Sequence, residues 1–355
     1  MIFSRTLLRG GAEKQSILLA NAIKEKYNVF FVVLHGNETN DSYLNQIKQN
    51  QIKLILLTGS FFQKLISLIY FLKSVKVDII FSYLFITNVV AVLVGKINRI
   101  PIIIGGIRNS KIPYYKLCVH RLLHNHFFYK TIFNNYSGYK YLTNRGFKSS
   151  KSIVIQNGIL INSPKRKRER NSILQILTVA RFTHQKDPIT ALKTVQHLIN
   201  LLSNEVTPLF QYIWVGYGKM QKNLEYKINE MELNEKVTLI INPIEVEKYY
   251  INSDIYFSTS LFEGLSNSIM EAMNYSLPIV ATNVGDNARL VKDGVNGFLV
   301  NCGDYNAAAE KLKDLLIDEK KREIFGDYSY KILKSHFSFH SFQKKYIKLI
   351  ESLHI

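Results

Sequence analysis

Short apolar runs alternate with segments of helical periodicity through the first half of the chain. Strands are predicted at 29–34, 53–57, 78–82 and 100–104, and helices at 61–73 and 89–96. A last short strand at 153–155 runs into the turn at Asn157-Gly158. This β-α-β-α order predicts an open parallel sheet with helices on both faces.

The same alternation restarts after a polar, charged segment at 162–170 that contains Pro164 and predicts a linker. Beyond it, strands are predicted at 173–179, 211–215, 237–241, 255–258 and 278–282, and helices at 188–202 and 220–231. Apolar residues recur at helical spacing over 337–353 and predict a closing amphipathic helix. Two such α/β domains would leave a ligand-binding cleft between the carboxyl ends of their sheets.

The composition is that of a globular protein, with 47% hydrophobic and 21% charged residues among 355. That length favours two domains. No secretory signal is visible, and the apolar stretch at 79–94 is broken by polar side chains, so we expect no membrane span. Two cysteines, Cys118 and Cys302, are too few for a disulfide framework, which fits a reducing, cytoplasmic location.

The net charge of +19 is concentrated in one stretch of the chain. Residues 79–168 contain 15 basic residues and no acidic one, which favours an anionic partner. Nucleic-acid-binding motifs are absent from the sequence. Aromatic and basic residues interleave over 114–130, which suits an anionic membrane surface, although a solvated helical face explains the pattern too. His120, His124 and His126 lie in this segment, and we interpret them as surface or membrane-facing residues and not as metal ligands.

Two features of the predicted turns suit a diphosphate. Gly10-Gly11 follows the first strand and opens a helix, where backbone N–H groups can approach an anion, although a plain turn explains the pair equally well. Arg181 and Lys186 follow the strand at 173–179, and Asp187-Pro188 then starts a helix. A guanidinium fork and a point charge together suit a diphosphate, and surface solvation is the alternative.

The most informative segment is 254–272. Glu263 follows a strand, and Gly264, Leu265, Ser266 and Asn267 lead into a helix that carries Glu271. Glu263 could reach sugar hydroxyls and Glu271 a ribose, while Ser268 and Glu271 also fit a helix capping box. Gly216-Tyr217-Gly218, after the strand at 211–215, is a second turn where backbone could meet a phosphate or base.

These motifs, taken in order, resemble the family 4 glycosyltransferases. The resemblance rests on Glu263 and Glu271 with seven residues between them, and it spans nearly the whole chain. It includes seven further segments, which are Gly10-Gly11-Ala12-Glu13, Ile155-Gln156-Asn157-Gly158-Ile159, Val179-Ala180-Arg181 with Lys186, Gly216-Tyr217-Gly218, 277–282, Val284-Gly285 and 293–300.

The resemblance implies a GT-B fold and metal-independent, retaining transfer from a nucleotide sugar. Its domains would be an acceptor-side N-terminal Rossmann-like domain over 1–163 and a nucleotide-sugar-binding one over 164–336. The helix at 337–355 would return to the N-terminal domain. The resemblance implies that Arg181 and Lys186 bind the donor diphosphate, with Gly11 beside it. It also implies that Glu271 binds the ribose and that Glu263 contacts the sugar. Glu263, Arg181 and Lys186 would be the catalytic residues. Gly216, Gly218, Gly264, Leu265, Ser266 and Asn267 would complete the donor site.

The sequence departs from the family pattern on the acceptor side. Many members have a His after the fourth or fifth strand, where this chain has Arg108 and Asn109 as candidate replacements. Asp286 and Arg289 replace a Gly and a Glu in the loop after Val284-Gly285. No cofactor or metal is expected.

We therefore predict an enzyme of surface-polysaccharide synthesis, such as capsule or lipopolysaccharide. It would transfer a hexose or N-acetylhexosamine, from a UDP-sugar in preference to other donors, to a lipid-linked saccharide. The predicted location is the cytoplasmic face of the membrane, reached through residues 79–168. A GT-B nucleotide-sugar epimerase and a non-catalytic saccharide-binding protein remain alternatives.

Overall fold

A computed structural model describes residues 1–8, 10–108, 112–161, 173–203 and 209–353. The chain forms two compact units, one of Met1–Ile159 with Ser338–Ile355 and the other of Leu160–Phe337. We call them the N-terminal and the C-terminal unit. The predicted linker and the predicted boundary at 163/164 lie outside the described residues.

The N-terminal unit contains a parallel sheet flanked by helices. Its strands in the described residues are β1 (Ile2–Ser4), β2 (Phe30–Val33), β3 (Lys53–Leu56), β4 (Ile79–Tyr83), β5 (Ile102–Ile107), β6 (Lys130–Phe133) and β7 (Ser152–Val154). Their order is β3-β2-β1-β4-β5-β6-β7. The helices that follow these strands are α1 (Gly11–Ile23), α2 (Asp41–Gln49), α3 (Phe61–Ser74), α4 (Phe85–Ile97), α5 (Tyr114–Leu122) and α6 (Tyr136–Thr143).

Alternate side chains of these strands build two cores, one on each face of the sheet. Phe31 packs with α1 and α2 on one face, while Val32 packs with α3 and α4 on the other. This period of two is what a strand buried on both faces requires. The predicted strands and helices of this half are confirmed to within a few residues at their ends, whereas β6 was not predicted.

The C-terminal unit repeats this arrangement. Its strands are β8 (Ile173–Val179), β9 (Leu209–Gly216), β10 (Val237–Ile241), β11 (Ile255–Ser258), β12 (Ile279–Thr282) and β13 (Gly297–Val300), ordered β10-β9-β8-β11-β12-β13, all parallel. Its helices are α7 (Pro188–Leu202), α8 (Gln221–Glu230), α9 (Glu247–Asn252), α10 (Asn267–Asn274), α11 (Asn287–Leu290), α12 (Tyr305–Ile317) and α13 (Glu319–His336). In this order the strand sequence changes direction between β8 and β11, the position where doubly wound sheets bind ligands.

The last helix, α14 (Phe339–Glu351), belongs to the N-terminal unit. It packs against α1, and its Phe342 and Tyr346 enter the same core as Phe31. Gln343 donates a hydrogen bond of 2.8 Å from Nε2 to the carbonyl of Ala22. The predicted amphipathic helix is thus present, and its apolar face is buried against the first helix of the chain.

Two of the three histidines near 120 are buried, so the interpretation of all three as surface residues is wrong. His120 is only 4% exposed and packs edge-to-face on Phe85. His124 is fully buried, with Nδ1 2.8 Å from the Thr131 hydroxyl and Nε2 3.0 Å from the Lys148 carbonyl. Helical spacing alone did not show that the chain turns through a π-helical segment, Leu123–Phe127, directly after α5.

This burial predicts acid sensitivity. Burial, reinforced by the charge of Lys116, lowers the pKa of His120 to about 4. Below pH 6.5 this histidine binds a proton in the unfolded chain but stays neutral in the folded chain. The free energy of unfolding therefore decreases as the pH is lowered, by about 2 kcal/mol at pH 5 for a single such group. We expect His120→Phe to lose less stability than the wild type between pH 7 and pH 5 in urea unfolding. His126→Phe, at an exposed position, is the matched control. An equal loss of unfolding free energy in the wild type and both variants would contradict this prediction.

Candidate active site

The candidate site of the C-terminal unit lies where its strand order changes direction. The loop after β8 carries Arg181 and Lys186, and the loop after the neighbouring β11 carries Glu263. Backbone hydrogen bonds join the two loops, since the Leu261 N–H donates to the Gln185 carbonyl at 2.8 Å. Residues that are nearly 80 positions apart in sequence therefore meet at one edge of the sheet.

Lys186 and Glu263 form an ion pair across this junction. The Lys186 Nζ contacts Glu263 Oε1, and the two side chains are 15% and 10% exposed. The Ser260 hydroxyl donates to the same carboxylate oxygen at 2.8 Å. An ammonium group has three donors, so Lys186 can keep this partner and still bind an anion. The sequence analysis named both residues but did not foresee their contact.

Arg181 differs from Lys186 in being exposed. It follows β8 by two residues, and it has no ion-pair or hydrogen-bond partner among the residues that the structure describes. A guanidinium cannot lose its charge in a protein, so this side chain offers a planar set of donors to an incoming anion. After β8 there is thus one cation that is held by an ion pair, Lys186, and one that is open to an incoming anion, Arg181.

Two local features fix the β8 loop. Asp187 adopts a left-handed conformation, with φ of 46°, and caps α7 by accepting from the Thr190 N–H, with Pro188 in the first turn. The predicted helix start is thus confirmed. The Thr259 hydroxyl donates to the carbonyl of Lys186 at 2.8 Å, which ties the loop to the end of β11.

Gly216 and Gly218 pack closely against the loop that carries Arg181. A Cβ on Gly216 would collide with the carbonyl of Ala180, and one on Gly218 would collide with the carbonyl of Phe182. The Phe182 N–H donates to the Tyr217 carbonyl at 2.9 Å, and the indole N–H of Trp214 donates to the Ala180 carbonyl at 3.1 Å. Close packing against Ala180 and Phe182, the two neighbours of Arg181, thus accounts for both glycines, and their contact with a donor stays a prediction.

The segment after Glu263 is held from its other side by the loop after β12. Gly285 has φ of 56°, and a Cβ there would collide with the Glu263 carbonyl. The Asp286 N–H donates to the carbonyl of Gly264 at 2.9 Å, and Leu265 is buried below. Asp286, which departs from the family pattern, is itself buried and lies 3.5 Å from Nε of Arg289.

The helix that carries Glu271 begins differently from the proposed capping box. Its N-cap is Ser266, whose hydroxyl accepts from the Ile269 N–H, and Asn267 is its first residue. Ser268 is therefore inside the first turn, and the capping box of Ser268 with Glu271 is wrong. Both serines fit the cap pattern in sequence, so only the backbone path decides between them.

Glu271 instead accepts a hydrogen bond from a residue that the sequence analysis missed. The Tyr250 hydroxyl, on α9, donates to Oε2 of Glu271 at 2.9 Å. Burial and the charge of Glu271 both raise the pKa of Tyr250, which keeps the hydroxyl protonated as a donor. Its ring stacks between Tyr256 and Tyr275, at 6.1 and 5.6 Å between centroids. The signal available in the sequence was the concentration of tyrosines in this region, namely Tyr249, Tyr250, Tyr256 and Tyr275.

Removing the Tyr250 hydroxyl should weaken nucleotide binding through Glu271. A hydrogen bond to a charged group contributes roughly 2 kcal/mol, so we expect Tyr250→Phe to raise the Kd for UDP by about tenfold or somewhat more. The measurement is titration calorimetry with UDP. Tyr275→Phe is the control, since it keeps the stack but removes a hydroxyl that contacts Glu247. Equal affinities of the wild type and Tyr250→Phe would show that the hydroxyl does not orient Glu271.

Two of the predicted site residues that the structure describes, Gly11 and Arg108, lie in the N-terminal unit. Gly11 is the exposed first residue of α1. Arg108 follows β5, donates from Nη1 to Asn157 Oδ1 at 2.8 Å, and lies over the Tyr83 ring at 4.6 Å from its centroid. Its buried Nε has no hydrogen-bond partner among the described residues. Asn109 lies outside them.

No group of His, Cys, Asp or Glu in the described part of the chain could hold a metal ion. None of the described helices has the length and apolar character needed to cross a bilayer.

Comparison with known proteins supplies the family. Residues 162–332 match the family model described as glycosyl transferases group 1. The match contains the Arg181 loop, the Lys186–Glu263 pair and the α10 helix. Residues 162–332 are thus a glycosyl transferases group 1 domain, and the chain is a glycosyltransferase. With two Rossmann-like units, this transferase has the GT-B fold that the resemblance implied.

Individual relatives agree with this assignment. A Campylobacter jejuni protein, named as an α-1,4-N-acetyl-D-galactosaminyltransferase for a diphospho-undecaprenol-linked saccharide, is 27% identical over 90% of the transferase and 89% of its own length. An Escherichia coli UDP-Gal:α-D-GlcNAc-diphosphoundecaprenol α-1,3-galactosyltransferase is 28% identical over 39% of this chain and 35% of its own. The solved structure of Anabaena HepE with UDP and glucose has a TM-score of 0.85 at 20% identity, covering 99% of both chains.

Proposed function

We propose that the transferase moves a hexose or N-acetylhexosamine from a UDP-sugar, with retention of anomeric configuration, to a lipid-linked saccharide in cell-surface polysaccharide synthesis. The observation that carries this proposal is the Lys186–Glu263 pair beside the exposed Arg181, where the strand order of the C-terminal unit reverses. A paired cation, a second cation without a partner among the described residues, and a carboxylate at one sheet edge suit a sugar diphosphate.

The proposed donor site assigns one role to each charged group. Arg181 and Lys186 bind the diphosphate and stabilise the charge that develops on it as the sugar departs. Glu263, whose carboxylate is oriented by Lys186 and Ser260, contacts the sugar, and Glu271, oriented by Tyr250, binds the ribose. The HepE structure, which was solved with UDP, supports a uridine nucleotide as the donor carrier.

Electrostatic stabilisation by two side chains predicts independence from metal ions. Because Arg181 and Lys186 would supply the positive charge that Mg²⁺ or Mn²⁺ supplies elsewhere, we expect transfer to continue at an unchanged rate in excess EDTA. Release of UDP over time, with and without EDTA, measures this. A loss of activity that added Mn²⁺ restores would contradict the proposal of a metal-independent site.

The acceptor is proposed from the relatives and from the N-terminal unit. The names of both curated relatives contain a saccharide joined through diphosphate to undecaprenol. Arg108 is the described candidate for the acceptor side, in place of the His that many family members have. The basic residues of 79–168 would place the enzyme peripherally at the cytoplasmic face of an anionic membrane.

A melting-temperature screen tests the donor proposal without knowledge of the acceptor. A ligand that binds only the folded state raises its stability, so UDP should raise the melting temperature more than GDP or ADP does. Incubating the enzyme with the donor alone then separates transfer from epimerisation, because an epimerase needs no acceptor. No shift with any nucleotide at millimolar concentration would refute the proposed donor site.

A further inference from the structure

Helix α3 exposes an apolar face to solvent. Phe62, Ile66 and Tyr70 are spaced at i, i+4 and i+8 and are 75%, 53% and 67% exposed. The opposite side of the helix is in the core, where Leu68 and Leu72 pack against the sheet. A surface helix of a globular protein normally turns polar residues outward, so this face calls for a partner.

The neighbouring helix continues the same surface. α4 packs against α3 and exposes Ile86, Leu93 and Ile97, which are 40%, 46% and 49% exposed. We call the exposed large apolar residues of the two helices the apolar face; they are Phe61, Phe62, Ile66, Tyr70, Ile86, Leu93 and Ile97. These residues lie on the outer side of one layer of helices, which argues against a deep binding groove and for a flat partner.

Charge distinguishes this layer from the helices on the other side of the sheet. Asp78 is the only acidic residue between Asp41 and Glu169, so α3, α4 and α5 contain none. On the opposite face, α1, α2 and α14 each contain one. Three lysines lie on the two helices of the apolar face, namely Lys64, Lys73 and Lys96. Apolar residues with lysines among them and no carboxylates are typical of a helix that lies in the interface of an anionic bilayer.

We propose that the apolar face inserts into the headgroup layer of an anionic membrane. The proposal adds to the basic stretch 79–168 a helix, α3, that lies outside it and supplies the apolar contacts. It rests on the proposed function only for its purpose, which is to bring the enzyme to a lipid-linked acceptor. A second copy of the chain fits less well, because a two-fold contact through α3 would bring Lys64 and Lys73 of both copies together without carboxylates.

Two tyrosines with similar exposure and a lysine at the same distance make the test specific. Tyr70 on α3 is 67% exposed with the Lys73 Nζ 5.9 Å from its ring centroid, and Tyr226 on α8 is 63% exposed with the Lys227 Nζ also at 5.9 Å. Sedimentation with phosphatidylglycerol vesicles at low salt should show binding of the wild type. Tyr70→Asp combined with Ile66→Asp should lower the partition coefficient at least about tenfold, since apolar contact and charge attraction are both weakened. Tyr226→Asp should bind like the wild type.

Each outcome decides the proposal independently of the donor site. Absence of wild-type binding, unchanged binding of the α3 double variant, or an equal loss in Tyr226→Asp would overturn it. So would a concentration-dependent dimer that Tyr70→Asp abolishes in the absence of lipid. Titration with UDP separates this proposal from the proposed function: the α3 double variant should bind UDP as the wild type does, and a wild type that binds vesicles but no nucleotide would refute only the proposed function.

Discussion

Replacing Lys186 with alanine is expected to lower kcat for sugar transfer about a hundredfold. The estimate corresponds to about 3 kcal/mol of lost transition-state stabilisation, the amount typical of one missing donor to a developing negative charge. Lys186 is nearly buried and already oriented by Glu263, so its ammonium needs little reorganisation when the diphosphate departs. Initial rates of UDP release at saturating donor measure the effect.

Two further variants separate this catalytic role from a structural one. Lys186→Gln keeps a hydrogen-bond donor for Glu263 without the charge, so it should preserve the melting temperature better than alanine and still lose most of the activity. Lys193→Ala removes an exposed lysine of α7 that lies over the Tyr305 ring and should keep the wild-type rate. If Lys186→Gln restored the wild-type kcat, Lys186 would only hold the loop in place.

Replacing Arg181 with alanine should lower kcat/KM about a hundredfold as well, by the same electrostatic argument. The two variants should differ in stability. Arg181 is exposed and unpaired within the described residues, so its removal should leave the melting temperature within the range of ordinary surface substitutions. Steady-state kinetics together with thermal unfolding provide both numbers.

Arg181→Lys is the informative control for this second prediction. It keeps the charge but loses the planar pair of donors that matches a phosphate, so its rate should lie between those of the wild type and the alanine variant. Wild-type kcat/KM in Arg181→Ala would mean that the diphosphate does not bind there. A large loss of stability would mean that Arg181 has a structural partner.

The fold could be predicted from the sequence because its cores follow simple periods. β8, α7, β10 and β11 have the predicted bounds, since apolar runs bounded by turn residues leave little choice of element. β6 was missed because its four residues follow a segment rich in His, Lys and aromatics that suggested a surface. The exposed face of α3 was missed because periodicity predicts a helix but does not show how many of its sides are covered.

The candidate site was predicted in parts and assembled only by the structure. Turn chemistry and charge placed Arg181, Lys186 and Glu263 after strands, and Asp187 at a helix cap. The contact between Lys186 and Glu263 depends on β8 lying next to β11, which is a property of strand order and not of either loop. The link from Tyr250 to Glu271 has the same character, because it joins two helices, α9 and α10, whose packing is not visible in either segment alone.

The most direct test of whether the C-terminal unit binds a diphosphate compares the affinities for UDP and uridine by titration calorimetry. We expect the wild type to bind UDP at least about a hundredfold more tightly than uridine, since two charge-assisted contacts are lost with the phosphates. Arg181→Ala should reduce that difference about tenfold while leaving uridine affinity unchanged. Equal affinities of the wild type for UDP and uridine, or a difference that Arg181→Ala leaves intact, would contradict the proposed site.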